Sequence, residues 1–196
     1  MRKYDTVIGL EIHVALLTES KFLCGCSTAF GAPPNSQCCP VCLGLPGALP
    51  LLNEKAVEYA VKAGLALNCN IHYFSKFDRK NYFYPDLPKA YQITQEAFPL
   101  CTEGYLEYYC DDQLFRTSIT RIQMEEEAGK LVHSGSSIVE SEYSLVDYNR
   151  AGIPLIEIVT APEISYPKQA RMFLEQLRLL LSYIGVSDTK MEEGSL

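Results

Sequence analysis

Four cysteines near the N-terminus have the spacing of a metal-binding site. Cys24 and Cys26 form one close pair, and after twelve residues Cys39 and Cys42 form a second. Two short turns that each direct two thiolates to one point are typical of a zinc knuckle, in which four sulfur ligands close a structural site. The alternative is a group of reduced, buried cysteines without a metal. We predict a structural Zn²⁺ site within residues 24–42, with the neighbouring Cys38 outside the ligand set.

A glutamate and a histidine share one face of the first predicted strand. Residues 6–16 alternate with a period of two, which predicts a strand with Glu11 and His13 on the same face. On a strand, Cα atoms two residues apart are separated by about 6.6 Å, so both side chains can reach one ion. The alternative is that His13 only satisfies a hydrogen bond with Glu11 in the core.

Three consecutive glutamates, Glu125, Glu126 and Glu127, end a later strand-like segment. Residues 104–110 and 114–124 are predicted to form a hairpin that leads into this run. Carboxylates beside the first strand would make an oxygen-rich pocket with one imidazole, which suits Mg²⁺ or Mn²⁺ better than Zn²⁺. Taken alone, such a run is more often a solvated turn.

One further carboxylate is set inside an apolar strand. Residues 153–160 are predicted to form a strand, in which Glu157 lies between Ile156 and Ile158. A carboxylate in such a place needs a charged partner, a metal ion or an edge position, because its burial is otherwise unfavourable. Glu157 is therefore a further candidate for the cation site.

Residues 75–95 are predicted to form a charged, aromatic surface loop interrupted by prolines. Four cations and two anions make this segment locally basic. The composition suits contact with phosphate or nucleotide, and a purely structural loop is an equally good interpretation.

Two helices complete the predicted elements: one capped by Asn53 and running to residue 68, and one from residue 165 that Gly185 ends.

The composition is that of a globular protein. The 196 residues include 47% hydrophobic residues and carry a net charge of −7, which excludes disordered and fibrous classes and gives no broad basic face for autonomous RNA binding. The longest apolar stretch, 43–52, is too short to span a membrane, and Asp5 interrupts any signal peptide. We expect one continuous domain, without a membrane segment, in the cytoplasm.

Several long strings resemble the B-subunit family of the tRNA-dependent amidotransferase GatCAB. The resemblance covers essentially the whole chain and follows the order of the family. The strings are IGLEIHV at 8–14, KFDRKNYFYPD at 76–86, PKAYQI at 88–93, EEEAGK at 125–130, YSLVD at 143–147, NRAG at 149–152 and PLIEIV at 154–159.

The resemblance implies a fold and a place in a longer protein. The expected fold is α+β: a mostly antiparallel sheet flanked by helices, in a cradle domain similar to glutamine synthetase, with the knuckle at 24–42 as an insertion. Residues 1–196 would be the N-terminal part of this catalytic domain. The helical and tail domains that hold tRNA are absent, and we interpret the chain as a fragment.

The resemblance also implies an activity: a glutamine-dependent aminoacyl-tRNA amidotransferase, which forms a carbon–nitrogen bond. ATP would phosphorylate the side chain of misacylated Glu-tRNA(Gln) or Asp-tRNA(Asn), and ammonia from the A subunit would amidate it, in a complex that also contains the C subunit. Mg²⁺ would be held by Glu11, His13 and Glu125, with Glu126 or Glu157 as additions. Arg79 and Lys80 are the candidates for phosphate contact.

The chain departs from the family pattern at the acidic run. The family usually has His-Leu before this run and Asp at its end, where this chain has Gln123, Met124 and Glu127. Two other functions stay open at this point. One is a zinc-knuckle module that binds RNA or a protein without catalysis, and the other is a metal-dependent hydrolase. Binding of Mg-ATP separates an amidation enzyme from a binding module.

Overall fold

The computed structural model describes residues 4–136 and 139–196. Within these two ranges the chain forms nine β-strands, two α-helices and one short 3-10 helix. In chain order they are β1 (Glu11–Ala15), α1 (Glu54–Ala66), β2 (Asn70–Ile71), β3 (Asp78–Asn81), β4 (Tyr91–Thr94), β5 (Cys101–Cys110), β6 (Gln113–Glu126), β7 (Lys130–His133), β8 (Ser144–Asp147), β9 (Pro154–Thr160), α2 (Pro167–Tyr183) and the 3-10 helix (Met191–Glu193).

A five-stranded sheet forms the centre of the molecule, with the strand order β1-β9-β6-β5-β2. Two small two-stranded sheets, β3-β4 and β7-β8, accompany it. Every pairing between the described strands is antiparallel. The prediction of a mixed α/β protein with a mostly antiparallel sheet and few helices is therefore confirmed.

The β5-β6 hairpin has the turn that its sequence favours. Asp111 and Asp112 both have positive φ angles, 50° and 61°. Two left-handed residues define a type I′ turn, whose twist matches that of the paired strands, and aspartate tolerates this conformation better than most residues. The turn fixes the register of β6, the strand that carries the acidic run.

Both helices cover one face of the sheet. Asn53 caps α1 by accepting hydrogen bonds from Lys55 N and Ala56 N, as predicted. Small buried residues of α1 and larger ones of α2 join the inward residues of β1, β6 and β9 in one hydrophobic core. Among them are Ile12, Val14, Ala56, Ala60, Ile122, Ile156, Ile158, Phe173 and Leu177. Neither described helix is long and apolar enough to cross a membrane.

The structure departs from the predicted loop at residues 75–95 and from the solvated-turn alternative for the acidic run. Residues 75–95 contain the paired strands β3 and β4 instead of a continuous loop. The acidic run is also not a solvated turn, since Glu125 and Glu126 belong to β6 and are buried. Hydrogen bonds from Thr94 to Glu125 and from Ile93 N to Glu126 compensate for the burial of these two carboxylates. Local composition does not reveal such contacts with a distant strand.

Candidate functional site

The face of the sheet opposite the helices carries a row of polar side chains. In the strand register, His13 of β1 lies opposite Glu157 of β9, and Glu157 lies opposite Gln123 of β6. Residues two apart on a strand share a face, so Glu125 joins this row from the next position of β6. Three strands that are distant in sequence thus bring one imidazole and two carboxylates together.

His13, Glu125 and Glu157 form a compact cluster. His13 Nε2 lies 3.4 Å from Glu125 Oε2 and 3.3 Å from Glu157 Oε2. One potential ligand atom from each residue lies within 4.8 Å of the other two, which is close enough for a shared metal ion. Both carboxylates are buried while half of the His13 side chain is exposed, so the cluster opens to solvent on the His13 side. Two carboxylates and one imidazole suit Mg²⁺ or Mn²⁺.

The charges in this cluster stabilise each other. Hydrogen bonds to Glu125 and then Glu157 raise the pKa of His13 to about 10, against the effect of burial. For Glu125, burial acts to raise the pKa, but hydrogen bonds from His13, Thr94 and Gln123 outweigh it and lower the pKa to about 2. His13 is therefore protonated at neutral pH in the metal-free protein, and binding of a divalent cation to its imidazole would release that proton.

The β3-β4 hairpin supplies contacts that the sequence analysis missed. Thr94 Oγ1 donates a 2.6 Å hydrogen bond to Glu125 Oε1. Gln92 Nε2 donates to the backbone oxygen of Glu126 at 2.8 Å and lies 3.3 Å from Glu125 Oε2. The only sequence signal for these contacts is the two-residue spacing of Gln92 and Thr94, which the surrounding aromatic and charged residues obscure.

Two predicted site residues lie outside the cluster. Glu11 lies two residues before His13 on the same face of β1, where it is opposite Val159 and exposed. Glu126 follows Glu125 on the same strand, so its side chain turns away. It forms an ion pair with Lys89 and accepts a 2.9 Å hydrogen bond from Ile93 N. Of the two additional candidates, Glu126 and Glu157, the structure groups Glu157 with His13 and Glu125, and Glu11 and Glu126 lie outside that group.

The two predicted phosphate contacts lie on opposite faces of the β3-β4 hairpin. Lys80 is opposite Gln92 in the strand register, so it lies on the face that contacts the acidic cluster. Arg79 is opposite Ile93, and its guanidinium group lies 4.5 Å from the centre of the Tyr91 ring. The hairpin therefore places Lys80, but not Arg79, on the side of His13 and Glu125.

The four predicted cysteine ligands come together as a second cluster. Ligand sulfurs of Cys24, Cys26, Cys39 and Cys42 all lie within 4.8 Å of one another, so this group could hold one metal ion. Four thiolates are the donor set of a structural zinc site. Cys38 lies outside the group, with its Sγ 4.0 Å from Asn149 Oδ1.

A buried lysine adjoins this cysteine cluster. Lys21 is fully buried, and its Nζ lies 3.8 Å from Cys42 Sγ and donates to the backbone oxygen of Tyr148 at 3.2 Å. A hydrogen bond from Cys24 is the main effect that lowers the pKa of Cys42 to about 4, and the charge of Lys21 contributes. The surroundings thus favour the thiolate form of Cys42, whereas the hydrogen bond with Cys42 raises the pKa of Cys24 and burial raises that of Cys26 to about 11.

The fold and the two clusters define a class of protein. It is a mixed α/β domain that carries two clusters of potential ligands. One is a carboxylate–histidine cluster suited to a cation on the sheet face opposite the helices, and the other consists of four cysteines. The model of the GatB/GatE catalytic domain family matches residues 6–196, and the chain belongs to this family. The family resemblance predicted from the sequence is confirmed.

Proteins of similar sequence are each named as the B subunit of an aspartyl/glutamyl-tRNA(Asn/Gln) amidotransferase. The chain is 62% identical to the one from Carboxydothermus hydrogenoformans over 196 residues, which is 100% of this chain and 40% of that protein. It is 62% identical over 194 residues to the one from Caldanaerobacter subterraneus, which is 99% of this chain and 40% of that protein. The identity to the one from Pseudothermotoga lettingae is 56%, over 98% of this chain and 41% of that protein. The chain thus spans about two fifths of the length of these relatives.

Proposed function

We propose that this chain is the part of a tRNA-dependent amidotransferase that activates and amidates the side chain of a misacylated tRNA. The substrates are Glu-tRNA(Gln), Asp-tRNA(Asn) or both, with ATP as cosubstrate. The relatives' name supports this assignment, and so does the cluster of His13, Glu125 and Glu157 on the sheet face opposite the helices. That cluster is the observation on which the proposal depends.

The reaction needs an activated carboxylate. A carboxylate is a poor electrophile, so the γ-phosphoryl group of ATP is first transferred to its oxygen, which releases ADP and gives an acyl phosphate. Ammonia then attacks the carbonyl carbon, phosphate leaves with the bonding electron pair, and the extra proton on nitrogen is lost to give the amide. Negative charge on oxygen accumulates in both steps, and nearby cations lower its energy.

The residues of the cluster would hold a divalent cation for this purpose. The chemistry of the donors fits Mg²⁺, which when bound supplies positive charge to phosphate and carboxylate oxygens. His13, Glu125 and Glu157 would bind the ion, and Lys80 would contact phosphate from the hairpin face that it shares with Gln92. Thr94 and Gln123 donate hydrogen bonds to Oε1 of Glu125, and these contacts favour the ionised form of this ligand.

The proposal includes the rest of the assembly. Residues 1–196 form the N-terminal part of a cradle domain similar to glutamine synthetase, in which Cys24, Cys26, Cys39 and Cys42 hold a structural Zn²⁺. An A subunit supplies ammonia from glutamine, and a C subunit completes a cytoplasmic complex. The cysteine cluster has four thiols close enough to bind a metal and is therefore not a candidate nucleophile for releasing ammonia in this chain.

Amidation by the full-length protein, assembled with its A and C partners, tests the proposal. The assay contains misacylated tRNA and Mg-ATP, with ammonium chloride in place of glutamine, and it measures Gln or Asn released from the tRNA. His13→Ala, Glu125→Gln and Glu157→Gln should each lower the rate at least about 100-fold, since a lost ligand removes the cation. Glu107→Gln, an exposed change on β5, is the matched control and should keep the wild-type rate.

The outcome also decides between this function and a binding module. Near-normal amidation by all three cluster variants would contradict the proposal. A wild-type protein that binds tRNA but neither binds Mg-ATP nor amidates would instead support a zinc-knuckle module without catalysis.

A further inference from the structure

Gln123 lies at the centre of the polar network behind the acidic cluster. Its side chain is buried, and its Nε2 lies 3.0 Å from Glu125 Oε1, 3.4 Å from Glu157 Oε2 and 3.2 Å from Thr94 Oγ1. Its Oε1 accepts a 2.8 Å hydrogen bond from Arg121 Nε. One amide group thus contacts both cluster carboxylates and a cation on the same strand.

Arg121 determines which way this amide points. A guanidinium group has only donors, so the amide oxygen of Gln123 must face Arg121 and the amide NH₂ must face the carboxylates. In the reverse orientation, an amide oxygen would face Glu125 and Glu157, where it would repel both. Arg121 therefore acts on the cluster through Gln123, whose amide oxygen accepts from its Nε.

The two oxygens of Glu125 have different surroundings. Oε1 accepts hydrogen bonds from Thr94 at 2.6 Å and Gln123 at 3.0 Å. Oε2 lies 3.4 Å from His13 Nε2, with Gln92 Nε2 3.3 Å away. The two donors on Oε1 hold the carboxylate so that Oε2 is directed toward His13. Glu157 Oε2 lies close to His13 as well and is also within reach of the Gln123 amide.

We propose that Gln123 is a positioning residue for the cation site, and that Arg121 acts through it. Gln123 holds Glu125 and Glu157 so that both direct an oxygen to the point that His13 faces. The inference rests on the proposed function, because it presupposes that this cluster binds a divalent cation. Hydrogen bonds of this kind fix the orientation of metal ligands, and their loss typically weakens metal binding by about 10-fold to 100-fold.

Replacement of Arg121 separates a positioning role from a purely electrostatic one, because the two roles predict opposite changes in cation affinity. A positive charge near a cation site repels the cation, so electrostatics alone predicts that Arg121→Met strengthens cation binding. Positioning predicts the opposite, since the amide of Gln123 is then free to turn its oxygen toward the carboxylates. Gln123→Met removes the amide without any change in charge and preserves the length of the side chain.

The experiment measures Mn²⁺ affinity by electron paramagnetic resonance in the full-length protein, with Mn²⁺ itself as the probe. Gln123→Met should bind Mn²⁺ at least about 10-fold more weakly than wild type, and Arg121→Met should also bind it more weakly. Arg116→Met removes the same charge earlier on β6, where the guanidinium stacks on Tyr105, and should stay within about twofold of wild type. Circular dichroism and thermal unfolding check the fold of each variant.

Each result has one meaning. Unchanged Mn²⁺ affinity in Gln123→Met, or tighter binding in Arg121→Met, overturns the positioning role while the proposed function stands. If wild-type protein does not bind Mn²⁺, the cation site of the proposed function falls as well. If Gln123→Met does not fold, Arg121→Met, a change at a half-buried residue, decides the question by whether its Mn²⁺ affinity falls or rises.

Discussion

His13 on β1 and Glu157 on β9 lie directly opposite each other in an antiparallel pair, and their side chains meet with Nε2 3.3 Å from Oε2. The same register places Glu11 opposite Val159. The partner strand, rather than spacing along β1, therefore selects which carboxylate joins His13.

This register predicts unequal effects of two conservative changes. Glu157→Gln removes a carboxylate from the cluster, whereas Glu11→Gln changes a carboxylate that lies outside it. We expect Glu157→Gln to lower the amidation rate of the full-length assembly at least about tenfold more than Glu11→Gln does. Equal losses in a direct comparison of the two rates would show that Glu11 belongs to the site.

The cysteine cluster predicts which thiols retain zinc. Cys42→Ser removes one of four clustered sulfurs and should lower the zinc content of purified protein well below one ion per chain. Cys38→Ser is the matched control, because Cys38 directly precedes Cys39 in the sequence but lies outside the cluster. Elemental analysis gives the answer, and about one zinc per chain in both variants would rule out the four-thiolate site.

The buried ion pair between Lys89 and Glu126 predicts a loss of stability. Lys89→Met leaves the buried Glu126 carboxylate without its cation, which should lower the free energy of unfolding by about 3–5 kcal/mol. The double variant Lys89→Met/Glu126→Gln should regain part of that loss, since it removes the isolated charge. Urea unfolding measures both, and a single variant as stable as wild type would contradict this interpretation.

The raised pKa of His13 predicts a pH-dependent stability in Mg²⁺-free buffer. The pKa rises from 6.5 to about 10 through hydrogen bonds to Glu125 and Glu157, so protonated His13 stabilises the folded protein fully below pH 6.5. This stabilisation should disappear as the pH rises through about 10. The difference in unfolding temperature between wild type and His13→Gln should therefore shrink from pH 6.5 to pH 10, and a constant difference would be inconsistent with an ion pair.

Local features of the fold were predictable from the sequence. The Asn53 cap and the turn at Asp111 and Asp112 depend on neighbouring residues only, and the structure contains both. Glu157 was identifiable because a carboxylate within an apolar strand needs a partner.

The composition of the site depended on contacts between distant segments. Thr94 and Gln123 become neighbours only when β4 packs against β6, and their hydrogen bond cannot be deduced from either segment. For the same reason, the alternation that paired Glu11 with His13 identified a shared face but not the strand that would lie beside it.

The formation of ADP before amidation tests the central claim most directly. The full-length protein, assembled with the proposed A and C subunits, is mixed with Mg-ATP and misacylated tRNA in the absence of glutamine and ammonium, and ADP is measured. The cation site that we propose at His13, Glu125 and Glu157 predicts ADP formation that requires misacylated tRNA, disappears in Glu125→Gln and is unchanged in Glu107→Gln. ADP formation by Glu125→Gln at the wild-type rate would contradict the assignment of this cluster to carboxylate activation.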